Sequence, residues 1–226
     1  SLDRTVVVGG GTMGAGIAYA LMQSGSAVTL VERDDEAAAS ARARVSGLLD
    51  AAVSRGLTSA DKAAVQLTSM RFQAGYDDLQ DAGLAIEAAF EDMAVKKDVL
   101  AALDSAMPDA VLATNTSYLD IDKMAGWLAD PSRLVGLHFF SPAHIMKLLE
   151  IVRGKASSDM ALATGFALAK RLGKLPVMVG VCDGFVGNRM LQRVREAAEH
   201  LLLDGAEFTQ IDRVMTNFGY AMGLYM

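Results

Sequence analysis

Between Thr5 and Val31 the chain runs for 27 residues without a charged side chain, and six of these residues are glycine. A run of about 20 apolar residues is long enough to cross a bilayer as a helix. Here, however, the glycines at 9, 10, 11, 14, 16 and 25, with Gln23, Ser24 and Ser26, would give a lipid-facing helix poor propensity and little side-chain packing. The stretch divides more naturally into a soluble unit. Residues 4–8 form a short β-branched run suited to a buried parallel strand, the glycines a turn, 13–24 a helix and 27–31 a second strand. A cleaved leader is also disfavoured, because the one basic residue ahead of the run, Arg4, stands beside Asp3.

The same alternation continues down the chain. Strands are predicted at 67–72, 83–87, 111–115, 134–139, 148–152 and 176–181, with helices at 36–55, 59–65, 92–106, 121–128 and 157–172. Such β/α alternation predicts an α/β fold with a doubly wound, mostly parallel sheet. Beyond Phe185 the pattern becomes helical only: "GNRMLQRVREAAEHLLLDG" reads as one long helix stopped by Gly205, and 207–219 begins further helix. The expected division is therefore 1–183 and 184–226. At 226 residues and 52% hydrophobic content the chain can bury one large core and a small one. A net charge of −6 disfavours nucleic acid as a partner, and no membrane partner is expected. The single cysteine, Cys182, excludes an internal disulfide and has no local basic neighbour to activate it. Histidines at 138, 144 and 200 show no zinc-type spacing, so no metal is expected.

Gly9, Gly11 and Gly14 make a G-x-G-x-x-G pattern directly after a strand and at the mouth of a helix that opens with Thr12 and Met13. The first glycine permits the tight turn, the second lets a pyrophosphate approach the backbone, and the third lets helix and strand pack closely. The helix N-terminus then faces the phosphates. Glu32, ending the second strand, is placed to accept hydrogen bonds from the adenine ribose. An acid there repels a 2′-phosphate and favours NAD over NADP, with Arg33 pulling the other way. The pattern thus describes a Rossmann-type, dinucleotide-binding fold.

Ligands of open α/β sheets gather at the carboxyl ends of strands, and two more polar stretches fall there. In "ATNTSYL", Asn115 and Ser117 are small hydrogen-bonding groups on a turn, although they would serve equally as helix caps. In "LHFFSPAHIMKLLEI", His138 ends a strand and Glu150 lies on the returning segment. The two could form a general base with its charge-stabilising partner, or a core histidine satisfied by a carboxylate. Asn188, in "DGFVGNRML", could reach a substrate carbonyl or could be a capping amide at the junction. His144 and His200 read as structural or solvated.

"GGGTMGAGIA", "TNTS", "LHFFSPAHIMKLLEI" and "GFVGNRM", in this order and at these intervals, resemble the L-3-hydroxyacyl-CoA dehydrogenase family over essentially the whole chain. "SPAHIMKLLEI" and "GVCDGFVGNRML" are most similar to the dehydrogenase part of multifunctional fatty-acid β-oxidation enzymes. The resemblance implies that His138 is the catalytic base, Glu150 its partner, and Ser117 and Asn188 hydrogen-bond donors to the reacting oxygen or thioester. It places Glu91, Lys96 and Asn115 along the nicotinamide side of an NAD cleft, with Glu32 where the family more often has aspartate. It implies NAD-dependent oxidation of an L-3-hydroxyacyl-CoA thioester to the 3-ketoacyl-CoA. Cytoplasm or organelle matrix is the expected location.

The chain also departs from the family pattern. It ends at "GYAMGLYM", where the family continues into further helices, and Ser1 is not an initiator methionine. A trimmed or excised segment is therefore expected, with an apolar helix face that a homodimer or other self-association would cover, alone or within a larger multifunctional chain. Two other functions fit the same residues. One is a non-catalytic NAD-binding module. The other is a dehydrogenase of another β-hydroxy acid, which would need an anion-binding arginine where only Arg189 is near in sequence.

Overall fold

The computed structural model describes residues 2–226, which divide into two units, 2–183 and 184–226. The first unit is built on an eight-stranded sheet in the order β3-β2-β1-β4-β5-β6-β7-β8. Along the chain, β1 (Arg4–Val8), α1 (Thr12–Gln23), β2 (Ala27–Glu32), α2 (Asp35–Ser54), α3 (Ala60–Ser69) and β3 (Arg71–Ala74) make the first half. Then come β4 (Leu84–Glu87), α4 (Met93–Ala106), β5 (Val111–Thr114), α5 (Ile121–Ala125) and β6 (Leu134–Phe139). The unit closes with β7 (Leu148–Arg153), α6 (Asp159–Arg171) and β8 (Leu175–Gly180). All neighbouring strands are parallel except β6 and β7.

Sequence explains this layering. Val6, Val7 and Val8 of β1 and all of β4 are buried on both faces, as expected of central parallel strands covered by helices. Ile17, Leu21, Leu30, Val45, Leu84, Ile86, Leu137 and Ile151 belong to one apolar cluster under the helices. Most helices start on their own acceptor. Asp34, Ser59, Asp92, Asp120 and Ser158 each take backbone N–H bonds at the head of α2, α3, α4, α5 and α6. At α1 the cap is Gly11, and no side chain bonds the first turn.

Two segments differ clearly from the sequence reading. The strand expected at 67–72 is helical through Ser69 and extended only at Arg71–Ala74. The helix continues because the Thr68 hydroxyl donates to the carbonyls of Ala64 and Val65, and that of Ser69 to Gln66, within the last turn. A short segment such as "LTSMRF" does not distinguish helix from strand by periodicity. The helix expected over 121–128 stops at Ala125, with Trp127 and Leu128 in turns. β8 is an edge strand with Leu175, Val177 and Met178 exposed, which suits Pro176.

The second unit holds α7 (Gly187–Leu203) and α8 (Phe208–Phe218). The chain turns between them at Gly205 (φ 99°), and Glu207 with Gln210 makes a reciprocal capping box that starts α8. Val194, Ala198, Leu201, Ile211, Val214 and Met215 line an apolar groove of about 380 Å³ along this helical pair. No helix of the described residues is long and apolar enough to cross a membrane.

Candidate active site

Parallel pairing of β2, β1, β4, β5 and β6 brings their carboxyl ends to one edge of the sheet. The glycine turn follows β1, Glu32 ends β2, Glu87 ends β4, the 115–117 turn follows β5, and His138 is the penultimate residue of β6. The chain runs outward from β1 in both directions, so the turn lies at the switch point where such sheets bind ligands.

The three glycines are required for three different reasons. Gly9 has φ 95°, and a Cβ on it would press on the carbonyl of Ala88 at 2.7 Å. A Cβ on Gly14 would overlap the Gly9 carbonyl oxygen, so this position sets how closely α1 approaches the turn. Gly11 has an ordinary extended backbone (φ −64°, ψ −171°) and nothing within 4 Å of a Cβ built on it. Its missing side chain therefore serves the space outside the protein. That space is a cleft of about 740 Å³ lined by Gly9, Gly11, Thr12, Met13, Glu32, Tyr76, Phe90 and Glu91, among others. Glu32 is half-buried and fixed, its Oε1 accepting from Gly10 N at 2.6 Å.

Behind the cleft lies a buried ionic network. Lys96 Nζ donates to Glu87 Oε1 and Oε2 at 2.8 and 2.9 Å and lies 3.4 Å from Glu91 Oε2. Glu87 is also bonded by the Thr114 hydroxyl and by Ala89 N. Both Lys96 and Glu87 have no solvent exposure. Lys96 is therefore not on the cleft wall, as the sequence reading had it; β4 and α4 close over its ammonium, and it acts by holding carboxylates.

Glu91 does face the cleft, and its Oε1 gathers the turn after β5 by accepting from the Thr116 hydroxyl, Ser117 N and Tyr118 N at 2.6, 2.8 and 3.2 Å. Burial works to raise the Glu91 carboxyl, but these bonds and the Lys96 charge outweigh it and hold it below the ordinary carboxylate value. A depressed carboxyl stabilises the fold above its unfolded value and loses that contribution as pH falls through the folded one. Glu91→Gln is accordingly expected to be less stable than the parent at pH 7, with the difference in melting temperature narrowing below about pH 4.5. Thermal scans from pH 7 to pH 3 test this, and a gap independent of pH would refute it.

His138 and Glu150 face each other across the antiparallel β6–β7 pair, in direct register. Their side chains share one face of the sheet, with Nδ1 2.7 Å from Glu150 Oε2. Both are buried, at 3% and 1% exposure, and the Phe140 ring lies 4.5 Å from the imidazole. Asn115 couples this strand to the turn after β5, because its Oδ1 accepts from Phe139 N at 2.9 Å. Hydrogen bonds thus hold Ser117 to Glu91 and Asn115 to the residue after His138, at the carboxyl ends of β5 and β6. Asn188 belongs to the second unit, half-buried in the first turn of α7.

Sequence reasoning missed Glu87, Thr114, Thr116 and Tyr76. A glutamate ending an otherwise apolar strand, followed by a lysine in the next helix, was the available signal for Glu87. Tyr76 lines the cleft with its phenol pushed up by burial and by the carboxylates of Glu87, Glu32 and Asp98.

A doubly wound sheet with an uncapped helix behind an open glycine turn has the architecture of a dinucleotide-binding unit, and the buried His–Glu pair stands at the same ends of its strands. Comparison with known proteins places it further. The chain belongs to the 3-hydroxyacyl-CoA dehydrogenase family, matching its NAD-binding domain over residues 4–182 and its C-terminal domain over 184–226. It is 44% identical over 225 residues to the peroxisomal bifunctional enzyme of Danio rerio, covering 99% of this chain and 31% of that protein. It is 37% identical over 223 residues to the fatty acid oxidation complex subunit alpha of Acinetobacter baylyi, covering 98% and 31% respectively. The chain thus spans under a third of the length of these relatives. Among solved structures, the (S)-3-hydroxybutyryl-CoA dehydrogenase of Ralstonia eutropha superposes with a TM-score of 0.92 at 33% identity, over 99% of this chain and 80% of that one.

Proposed function

We propose that this chain carries out NAD-dependent oxidation of L-3-hydroxyacyl-CoA to 3-ketoacyl-CoA, in fatty-acid β-oxidation or related acyl-CoA metabolism. The observation that carries the reading is the buried His138–Glu150 pair at 2.7 Å on the sheet edge that also bears the glycine turn. Taking two ionisable groups out of water is costly, which favours a site retained for chemistry over a mere binding module.

The residues fit NAD. The open side of Gly11 and the first turn of α1, with Thr12 and Met13, suit its pyrophosphate. Glu32 suits the ribose, and Glu91 and Asn115 the nicotinamide side, with Lys96 supporting Glu91 from behind. When bound, NAD supplies the hydride acceptor.

The chain's own residues manage the proton. With Nδ1 turned to Glu150, the proton transfer of His138 falls to Nε2, which takes the substrate hydroxyl proton in oxidation and returns it in reduction. Glu150 fixes the tautomer and stabilises the imidazolium. Ser117 is assigned to the reacting oxygen or the thioester carbonyl.

NADH consumption with acetoacetyl-CoA, set against NADPH and against free acetoacetate, tests the reading. Turnover specific to NADH and the thioester is expected. Tight NADH binding without turnover would favour a binding role.

Gly11→Ala gives a separable result. Its backbone angles suit any residue, so stability should stay within about 0.5 kcal/mol. NADH affinity should fall about tenfold or more, because the methyl group enters the space meant for the pyrophosphate. Urea denaturation and NADH fluorescence read the two effects independently.

The second unit supports self-association. Its groove and the exposed Leu203, Phe208 and Phe218 leave a large apolar surface, which a second copy of the same helical pair would cover isologously. Light scattering should show a dimer, and a clean monomer at high concentration would count against it. Relatives among bacterial complexes and peroxisomal enzymes support a cytoplasmic or organelle-matrix location.

A further inference from the structure

Residues 140–147, which join β6 to β7, form neither helix nor strand, yet they touch both parts of the site. Phe140 opens this connection with its ring 4.5 Å from the His138 imidazole. Further along, the connection rests on α1, the helix behind the glycine turn. Ala143 is buried, and a Cβ built on Gly16 of α1 would stand 3.3 Å from the Ala143 Cβ. The next residue, His144, meets Tyr19 of α1 edge-on, with ring centroids 5.5 Å apart. One short segment therefore leans on the acid–base strand and on the cofactor helix together.

A single cation organises it. Lys174, buried at 8% exposure, reaches across from the turn between α6 and β8. Its Nζ donates to the carbonyls of Ala143 and Met146, each at 2.5 Å. The lysine backbone is itself held, since Gly173 turns the chain with φ 63° and Lys174 N donates to Ala169 O at 2.8 Å. Beside it, Leu175 N donates to Lys147 O at 2.8 Å and ties down the far end of the connection. Burial, with the Lys147 charge, pushes the ammonium down from the ordinary lysine value. An apolar side chain of similar length would fill the space without that cost, so what the cation adds is its hold on the two carbonyls.

We propose that Lys174 is a positioning residue: its ammonium shapes the 140–147 connection, seats it on α1, and through Phe140 sets how the His138 ring meets a substrate held beside the cofactor turn. The ladder already fixes His138 against Glu150; what it leaves open is the tilt of the ring and its spacing from α1. The proposal rests on the dehydrogenase reading for its kinetic consequence, and on the contacts of the connection alone for its structural one.

Lys174→Met and Gly16→Ala, each compared with the parent, test it. The first removes the ammonium donors at similar length. The second adds a methyl that meets the connection at Ala143, while alanine favours the helix. NADH fluorescence titration gives affinity and the number of sites, and acetoacetyl-CoA kinetics gives KM and kcat per site. Hydrogen exchange follows the Ile145 and Met146 amides, which both donate to Pro142 O at 3.0 Å. In Lys174→Met these amides should exchange about tenfold faster or more, and kcat per site should fall about tenfold or more, with KM and NADH affinity within about twofold. Gly16→Ala should lower kcat per site about threefold or more at undiminished stability, which decides the matter if Lys174→Met fails to fold. Parent-like kcat per site in either folded variant, or parent-like exchange in Lys174→Met, would overturn the proposal. So would a loss shared equally by kcat, KM and NADH affinity, which would mark Lys174 as a general staple of the fold. A parent that binds NADH without turnover sinks the dehydrogenase reading instead, and the exchange arm then decides whether Lys174 holds the connection.

Discussion

Replacing His138 by asparagine should lower kcat for acetoacetyl-CoA reduction by about 10²- to 10⁴-fold, the usual worth of a positioned acid–base group. Asparagine can still hydrogen-bond across the ladder toward Glu150, so the sheet and the glycine turn should be little disturbed. NADH affinity should therefore change by no more than about twofold, well inside the effect of a lost binding contact. Glu150→Gln should also slow turnover, since it removes the charge opposite Nδ1 while keeping the shape. The two losses should not add in the double variant, because the residues act as one unit. Steady-state kinetics on the four proteins measures this. Full turnover in the His138 variant, or simple additivity of the two losses, would show that the pair is structural.

Lys96→Met should destabilise the fold by about 3–5 kcal/mol, the cost of leaving one member of a buried ion pair without its partner. Glu87 has no exposure and no other cation is in contact with it among the described residues. Glu87→Gln should cost less, because the amide oxygen can still accept from Thr114 or Ala89. In urea denaturation the double variant should fall short of the sum of the singles, and the shortfall measures the coupling. The lysine variant should also loosen NADH binding, since Lys96 supports Glu91 and Glu91 gathers the 116–118 turn. Unchanged stability in Lys96→Met would mean that water or rearranged side chains compensate Glu87.

Much of this architecture was legible in the sequence, for identifiable reasons. β1 and β4 were readable because central parallel strands are apolar on both faces. The cofactor turn was readable because only glycine fits at 9 and 14. The 67–72 segment misled because the hydroxyls of Thr68 and Ser69 finish a helix in a run that composition alone allows as strand. For His138 and Glu150 the residues were visible and their relation was not: twelve positions separate them in the chain, and only antiparallel register decides whether two such side chains meet. Lys96 was misplaced because sequence carries no sign of which helix face closes over β4. Glu87, its partner, was passed over inside an apolar run.

The β6–β7 ribbon bears on how such a dyad can be inherited. A ladder pair is a relation between two positions and is indifferent to what joins them. Residues 140–147 could lengthen or shorten without parting His138 from Glu150, as long as the register holds. One residue added within either strand, between the pair and the fixed end of the sheet, would turn one partner to the opposite face. As far as the pair itself is concerned, a change of length is tolerated in the loop and forbidden a few residues away. The ribbon behaves as a portable cassette, one that could be grafted as a unit onto another antiparallel pair whose end opens on a cofactor cleft.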